Sequence, residues 1–226
     1  MLKTICDLPK LTGESVIIMG SGPSLNNCPP ATLRKHVTIA INDAGLYFQP
    51  TIHMIGDPPK CYDMRNDIDF ETRYFVVQFE GMQQLMKANR WKVEPFPEDR
   101  MYTFRWALDG ELASVTPDND LLWYRETTSI GAMVLAWKLG ATDIYLVGID
   151  SHHLRFRPRE GELRSAAYFR DPMFTHPEIL QEPRECCWGT AIDRFVETWT
   201  PGRCNIWQTN MYASTKRVPY FPLGEL

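Results

Sequence analysis

One segment, residues 16–25, constrains the fold more than any other, because an apolar run leads directly into a glycine-rich turn. The turn consists of Gly20, Ser21, Gly22, Pro23 and Ser24, and we expect a helix to start after it. Glycine lacks the Cβ that keeps a ligand off the backbone, and a helix N-terminus offers unpaired N–H groups and partial positive charge. We therefore expect a phosphate-facing loop here, although an ordinary strand-to-helix turn explains the same pattern. The third glycine of the dinucleotide fingerprint is missing, and no Walker lysine follows.

Composition limits the classes of protein to consider. The chain has 226 residues, of which 44% are hydrophobic, which suits one α/β domain over residues 1–226. No apolar run approaches the ~20 residues of a membrane span, and the first fifteen residues lack a signal-peptide core. We expect a soluble cytoplasmic protein. The net charge of −4 argues against generic nucleic-acid binding, and six cysteines without a Cys-x-x-Cys pair predict free thiols.

The order of apolar runs predicts a Rossmann-like, three-layer α/β domain with a mostly parallel central sheet. Short apolar runs alternate with intervals long enough for helices, and continuous apolar strands suit a sheet that is covered on both faces. Helices are predicted over 81–90, 126–140 and 189–199. Strands are predicted over 16–19, 37–41, 52–55, 74–79, 101–104, 143–149 and 204–209.

Polar residues follow five of the predicted strands at the point where each strand ends. Taken singly, such a residue usually caps a helix. Open α/β sheets bind ligands outside the carboxyl ends of their strands, so the five clusters together predict a site along that edge. The clusters are Gly20-Ser21-Gly22, Asn42-Asp43, Gly56-Asp57, Asp150-Ser151-His152 and Gln208-Thr209-Asn210.

The motif order over residues 15–155 resembles the bacterial family 42 sialyltransferases. It resembles equally the archaeal 6-hydroxymethyl-dihydropterin pyrophosphokinases and their phage-borne relatives. The likeness rests on residues 17–25, 40–43, 127–140 and 144–150. It implies that residues 20–24 hold a nucleotide phosphate and that Asn42 lies near the nucleotide. Thr127, Thr128 and Ser129 would face the donor at a helix N-terminus, where capping is the simpler explanation.

The chain departs from the sialyltransferase pattern at three places. Asp57 stands where those enzymes have asparagine, His152 replaces their phosphate-binding tyrosine, and their catalytic histidine before the last helix has no counterpart. A carboxylate beside phosphates favours Mg²⁺, which uses one or two carboxylates together with phosphate oxygens. We therefore predict Asp57 and Asp150 as magnesium ligands, and Asp57 as part of the catalytic site.

Further candidates lie in and beside a predicted flap or insert at residues 151–188. His152 could take a proton from an acceptor hydroxyl, since its pKa is near neutral in water. Arg155 and Arg157 belong to a basic stretch, and in an extended segment both would reach phosphate oxygens from one side. Trp188 is a candidate for stacking on a base or sugar. The simpler alternatives are a surface histidine, a solvated loop and a core tryptophan, and we expect His36 and His53 to be structural.

Three functions fit these residues. The first is a nucleotide-dependent transferase, most simply a glycosyltransferase that moves a sugar from a nucleotide-sugar donor to a hydroxyl. The second is a Mg-ATP-dependent pyrophosphokinase of the hydroxymethylpterin type. The third is a catalytically silent nucleotide-binding module. The acceptor is left open among small molecules, glycans and DNA, a homo-oligomer is compatible, and a phage-encoded chain would work in the host cytoplasm.

Overall fold

The apolar runs form a parallel sheet. In the computed structural model, the described residues are 3–46, 48–56, 72–87, 98–107, 112–123, 127–150, 187–211, 213 and 215–226. Within them the strands are β1 Lys3–Thr4, β2 Ser15–Met19, β3 Val37–Ile41, β4 Ile52–Ile55, β5 Tyr74–Gln78, β6 Met101–Ala107, β7 Leu121–Trp123, β8 Asp143–Val147 and β9 Asn205–Gln208. The sequence does not predict β1 or β7, since two or three residues leave no readable period.

The strand order places the polar strand ends side by side. The order is β1-β6-β5-β4-β3-β2-β8-β9, with β7 pairing with β6, and every pairing between described strands is parallel. The mostly parallel sheet predicted from the sequence is therefore confirmed. Strands β3 to β6 are added on one side of β2, whereas β8 and β9 are added on its other side. The direction in which successive strands are added therefore reverses between β2 and β8. Such a reversal is where open α/β sheets commonly bind ligands.

Helices cover both faces of the sheet. They are α1 Pro30–Leu33, α2 Phe79–Lys87, α3 Thr128–Lys138 and α4 Cys187–Trp199. Alternate residues of β2 point to opposite faces: Val16 and Ile18 join the core beneath α3 and α4, whereas Ile17 and Met19 join the core on the side of α1 and α2. This arrangement confirms the three-layer α/β class. The predicted insert at 151–188 lies outside the described residues except for its last two positions, which begin α4.

Two further predictions from the sequence concern membrane spans and cysteines. None of the helices in the described ranges is long and apolar enough to cross a membrane. Cys6, Cys28 and Cys204 are free thiols, and burial raises the pKa of Cys28 and of Cys204 to about 11.

The C-terminal end of α3 is held by a buried lysine. The side chain of Lys138 is almost fully buried, and its ammonium donates to the carbonyl oxygen of Thr116 and, at 3.0 Å each, to the carbonyl and side-chain oxygens of Asn119. Burial lowers the pKa of Lys138 to about 8, so the group stays charged at neutral pH. The lysine thus fixes α3 against the loop that enters β7.

Replacing this lysine should weaken the fold. Lys138→Met keeps most of the volume but leaves three acceptors without their donor, so the free energy of unfolding should fall by about 1–3 kcal/mol. Urea denaturation measures the change, and Lys35→Met on the exposed surface serves as the control. Equal midpoints for the two variants would contradict the anchoring role of Lys138.

Candidate active site

The edge where the parallel strands end holds several of the residues predicted to form the site. The ends of β9, β8, β2, β3 and β4 lie next to one another in that order. Ser21 and Asn42 each stand two residues beyond a paired position, because Met19 of β2 pairs with Ala40 of β3. The five polar clusters therefore share one edge, as far as the described residues extend.

The turn after β2 is bonded directly to the turn after β8. The N–H of Gly22 donates to the carbonyl oxygen of Gly148 at 2.7 Å. The N–H of Gly20 donates to the carbonyl oxygen of Val147 at 2.8 Å. A Cβ on Gly20 would lie 2.5 Å from the Gly148 oxygen, and one on Gly22 would lie 2.6 Å from it. Gly148 itself has a φ of +67°. The glycines therefore let two backbones touch.

Asp150 holds the same two turns together through its side chain. Its carboxylate is 2% exposed and accepts hydrogen bonds from the N–H of Ser24 at 2.8 Å, from the Ser24 hydroxyl, and from the side-chain amide of Asn210 at 2.8 Å. The hydroxyl of Ser24 accepts in turn from the N–H of Gly148 at 3.1 Å. We call the hydrogen bonds that join residues 20–24, residues 147–150 and Asn210 the loop clamp.

The loop clamp changes what the glycine-rich turn can do. The sequence predicts free N–H groups and a following helix, but the N–H groups of Gly20, Gly22 and Ser24 all have partners within the protein. A five-residue 3-10 turn, Pro23–Asn27, stands where the helix start is predicted. Ser21 differs from its neighbours, because neither its N–H nor its hydroxyl has a partner among the described residues. Ser21 is thus the open donor of this turn.

The surroundings of Asp150 do not fit a magnesium ligand. Three protein donors occupy three of about four lone-pair positions on its carboxylate, and the group is buried. Mg²⁺ requires near-octahedral oxygen ligands and keeps several waters, which this buried, donor-rich carboxylate does not accommodate. Within the described ranges, no group of three or more His, Cys, Asp or Glu side chains could hold a metal ion. The other predicted ligand, Asp57, lies outside those ranges.

Asn42 ends β3 in a left-handed conformation with a φ of +48°. Its side-chain oxygen accepts a hydrogen bond from the N–H of Gly56 at 3.1 Å, and its backbone oxygen accepts one from Nε2 of His53 at 2.7 Å. The two N–H groups of its side-chain amide have no partner among the described residues, and the residue is half-buried. Asn42 therefore offers two hydrogen-bond donors beside Ser21.

The start of α3 lies against the end of β4 and adds further polar residues to this edge. The Thr127 hydroxyl oxygen accepts from the N–H of Ser129 at 3.3 Å, so Thr127 caps the helix, and its hydroxyl is 3.2 Å from that of Ser129. A Cβ on Gly56 would lie 2.8 Å from the hydroxyl oxygen of Thr128, which shows how closely the helix start packs on the end of β4. The Thr128 hydroxyl has no partner in the described part of the chain.

Other predicted site residues are not brought together by the described structure. Asp57, His152, Arg155 and Arg157 lie outside the described residues. Trp188 stands in the first turn of α4.

Two contacts at this edge are not predicted from the sequence. Asn210 is predicted to lie in a polar cluster, but its hydrogen bond to Asp150 is not predicted, and neither is the hydrogen bond between His53 and Asn42. The signals were an asparagine just past a strand end and a lone histidine inside an apolar strand. Neither signal identifies the partner, because Asn210 lies 60 residues from Asp150 in the chain.

Comparisons with known proteins support the fold. No model of a known protein family matches the chain, and no curated protein matches it. The solved structure of the sialyltransferase CST-II in complex with a trisaccharide acceptor and CMP is similar, with a TM-score of 0.50 and 13% identity over 92% of this chain and 86% of that one. At this identity the likeness shows the fold alone, and it agrees with the fold implied by the family 42 resemblance.

Two more solved structures show weaker similarity. The sialyltransferase CstII from Campylobacter jejuni in complex with cytidine-5'-monophosphate has a TM-score of 0.49 and 15% identity, covering 94% of this chain and 86% of that one. The alpha-2,3-sialyltransferase Cst-I from Campylobacter jejuni has a TM-score of 0.42 and 14% identity, covering 92% and 80%.

The loop clamp predicts an unusual cost for a small substitution. Gly148→Ala adds a Cβ against the Gly20 carbonyl oxygen and at 2.9 Å from Cβ of Leu25, in addition to the left-handed strain. Gly202→Ala is the matched control, because its φ of +75° imposes similar strain while nothing lies within 4 Å. The control should lose about 1 kcal/mol of unfolding free energy, and Gly148→Ala about 2–3 kcal/mol more. Equal losses in chemical denaturation would show that the two turns are not in contact.

The buried His53 predicts a pH dependence of stability. Burial lowers its pKa, which outweighs the opposite effects of the bond to Asn42 and of the Asp43 carboxylate. An unfolded chain takes up a proton at this histidine near pH 6.5, whereas the folded chain takes it up only at a lower pH, so stability should fall as pH drops below about 6.5 by up to ~1.4 kcal/mol per unit. Unfolding measured from pH 7.5 to 5 should show a shallower slope for His53→Gln. Parallel curves would contradict the prediction.

Proposed function

We propose that this chain is a nucleotide-dependent transferase that moves a sugar from a nucleotide-sugar donor to a hydroxyl acceptor. One observation carries the proposal. Among the described residues, Ser21, Asn42 and Thr128 have hydrogen-bond donors without partners, while the nearby Ser24 and Asp150 are bonded to each other and Asp150 also to Asn210. Such donors at two adjoining strand ends and a helix start suit a ligand rich in acceptor oxygens.

A nucleotide has that chemistry. Its phosphate oxygens and the carbonyl and ring nitrogens of its base all accept hydrogen bonds, so amide and hydroxyl donors can bind both parts. The eleven-residue helix α3 begins at Thr128, and its N-terminus adds partial positive charge where a phosphate would lie. We assign Ser21, Asn42 and Thr128 to nucleotide contact, with Thr127 and Ser129 shaping the helix start.

The likeness to a sialyltransferase solved with CMP and a trisaccharide acceptor supports this choice of substrate class. It makes cytidine nucleotides the first donors to test and a glycan hydroxyl the first acceptor. Gly20, Gly22, Pro23 and Ser24 belong to the turn that presents Ser21. We propose that this turn shapes the phosphate end of the site while Ser21 makes the contact.

The proposed reaction needs stabilisation of a leaving group and removal of a proton. The acceptor oxygen bonds to the anomeric carbon, the bond from that carbon to the nucleotide phosphate breaks, and the phosphate leaves with the electron pair. Donors aimed at the phosphate stabilise the negative charge that it gains. His152 is the proposed base for the acceptor proton, and Asp57 is proposed as a second catalytic residue. Arg155 and Arg157 are proposed to bind phosphate oxygens, and Trp188 to stack on the sugar or base.

A panel of nucleotides tests the substrate class. Thermal unfolding is measured with CMP, CDP, UDP, GDP, ADP and ATP, each with and without Mg²⁺. Ligand at ~100 times its dissociation constant adds about 2.7 kcal/mol, which raises the midpoint by several degrees. A rise with CMP that does not require Mg²⁺ is expected. A rise only with ATP and Mg²⁺ would instead indicate pyrophosphoryl transfer, and no rise with any nucleotide would overturn the proposal.

Asn42→Asp tests the contact residues. Aspartate keeps the oxygen that accepts from Gly56 and tolerates a left-handed φ, but it replaces two donors with a charged acceptor. CMP affinity measured by calorimetry should fall at least about tenfold, because the carboxylate repels the phosphate. The control Gln49→Glu adds the same charge before β4, at the opposite edge of the sheet. Equal affinities of Asn42→Asp and this control would remove Asn42 from the site.

A further inference from the structure

His53 is buried in the middle of the sheet, yet it makes a specific polar contact. It pairs with Ala40 of β3 and is 0% exposed. Its Nε2 lies 2.7 Å from the backbone oxygen of Asn42, and its Nδ1 is buried without a hydrogen-bond partner in the described structure. An apolar side chain would fill this space without burying an unpaired Nδ1, so packing alone does not account for a histidine.

The contact fixes the state of the imidazole. A carbonyl oxygen can only accept, so Nε2 carries the proton and donates it to Asn42. A second proton on Nδ1 would have no acceptor among the described residues. The ring is therefore a neutral donor with one orientation.

The chain makes room for this ring at Gly45, in the turn that follows Asn42. A Cβ on Gly45 would lie 2.6 Å from Cδ2 of His53 and closer still to its Nε2. The ring therefore packs against the backbone of the turn, and its Nε2 reaches the carbonyl of Asn42 three residues earlier.

The residue that receives this hydrogen bond is itself exceptional. Among the described residues, Asn42 is the one non-glycine residue with a positive φ. Its conformation directs its side-chain oxygen to the N–H of Gly56 and ties the end of β3 to the end of β4. Holding a non-glycine residue in this region costs free energy that surrounding contacts must offset.

We propose that His53 is a positioning residue for the nucleotide site, where its neutral Nε2–H donor holds Asn42 in the left-handed conformation. Asn42 then bonds Gly56 with its oxygen and presents its two amide N–H groups to the ligand. The role in ligand binding rests on the proposed function, whereas the hold on Asn42 does not. His53 acts through Asn42 and does not touch the nucleotide.

The test compares His53→Leu, which removes the donor, with His53→Gln, which restores an N–H donor on a side chain of similar reach. Val76→Ala, a core change in β5, controls for general loss of stability. Amide hydrogen exchange at Gly56 reports the bond to Asn42, and calorimetry with CMP reports binding. His53→Leu should raise Gly56 exchange and weaken CMP binding by about tenfold each relative to Val76→Ala, while His53→Gln stays within about threefold of the parent.

The outcomes separate the two proposals. Unchanged Gly56 exchange in His53→Leu would overturn the role of His53, whatever CMP does. Failure of the parent protein to bind CMP would overturn the nucleotide site and leave the Gly56 result to decide His53. If His53→Leu does not fold, ¹⁵N spectra of the parent's labelled histidines decide instead: a ring protonated at Nε2 alone supports the positioning role, and a proton on Nδ1 refutes it.

Discussion

The site depends on one constraint, the direct bonding of the turn after β2 to the turn after β8. Two backbone hydrogen bonds and the Asp150 carboxylate join segments about 125 residues apart in the chain. The contact is possible because Gly20, Gly22 and Gly148 carry no side chain where the backbones meet. Hydrogen bonds to a buried charge contribute about 1.5–3 kcal/mol each, so Ser24 and Asn210 hold this junction firmly.

We propose that this junction limits where a ligand can bind. The reversal of strand order between β2 and β8 is the usual ligand crevice of such sheets, but here the turns on its two sides are bonded to each other. Among the described residues, the donors without partners lie away from this junction, on Ser21, Asn42 and Thr128. We therefore propose that the ends of β2, β3 and β4 and the start of α3 bind the ligand, with His53 holding Asn42 from within the sheet.

The sequence predicts the sheet well because its signal is local. Apolar runs mark the seven longer strands, and their polar ends mark the edge that the site occupies. The roles within the site are less predictable, since they depend on contacts between distant residues. The sequence of the glycine-rich turn predicts a phosphate loop, but the N–H of Gly22 is bonded to the Gly148 carbonyl oxygen. Asp150 is predicted as a metal ligand, but its carboxylate accepts hydrogen bonds from Ser24 and Asn210. The sequence correctly predicts that Asn42 follows the end of a strand. Its left-handed backbone and its hydrogen bond to His53 depend on packing, which the sequence does not show.

We propose that the nucleotide is held by the donors that have no partner among the described residues, next to the loop clamp. Chemical-shift mapping of the ¹⁵N-labelled protein during titration with CMP tests it most directly. We expect the largest changes at the Ser21 amide, the Asn42 side-chain amide and the Thr128 amide, with small changes at Gly22 and Ser24, whose N–H groups are already bonded. Large changes at Gly22 and Ser24 with none at Ser21 or Asn42 would show that the ligand opens the clamp, and would contradict the account.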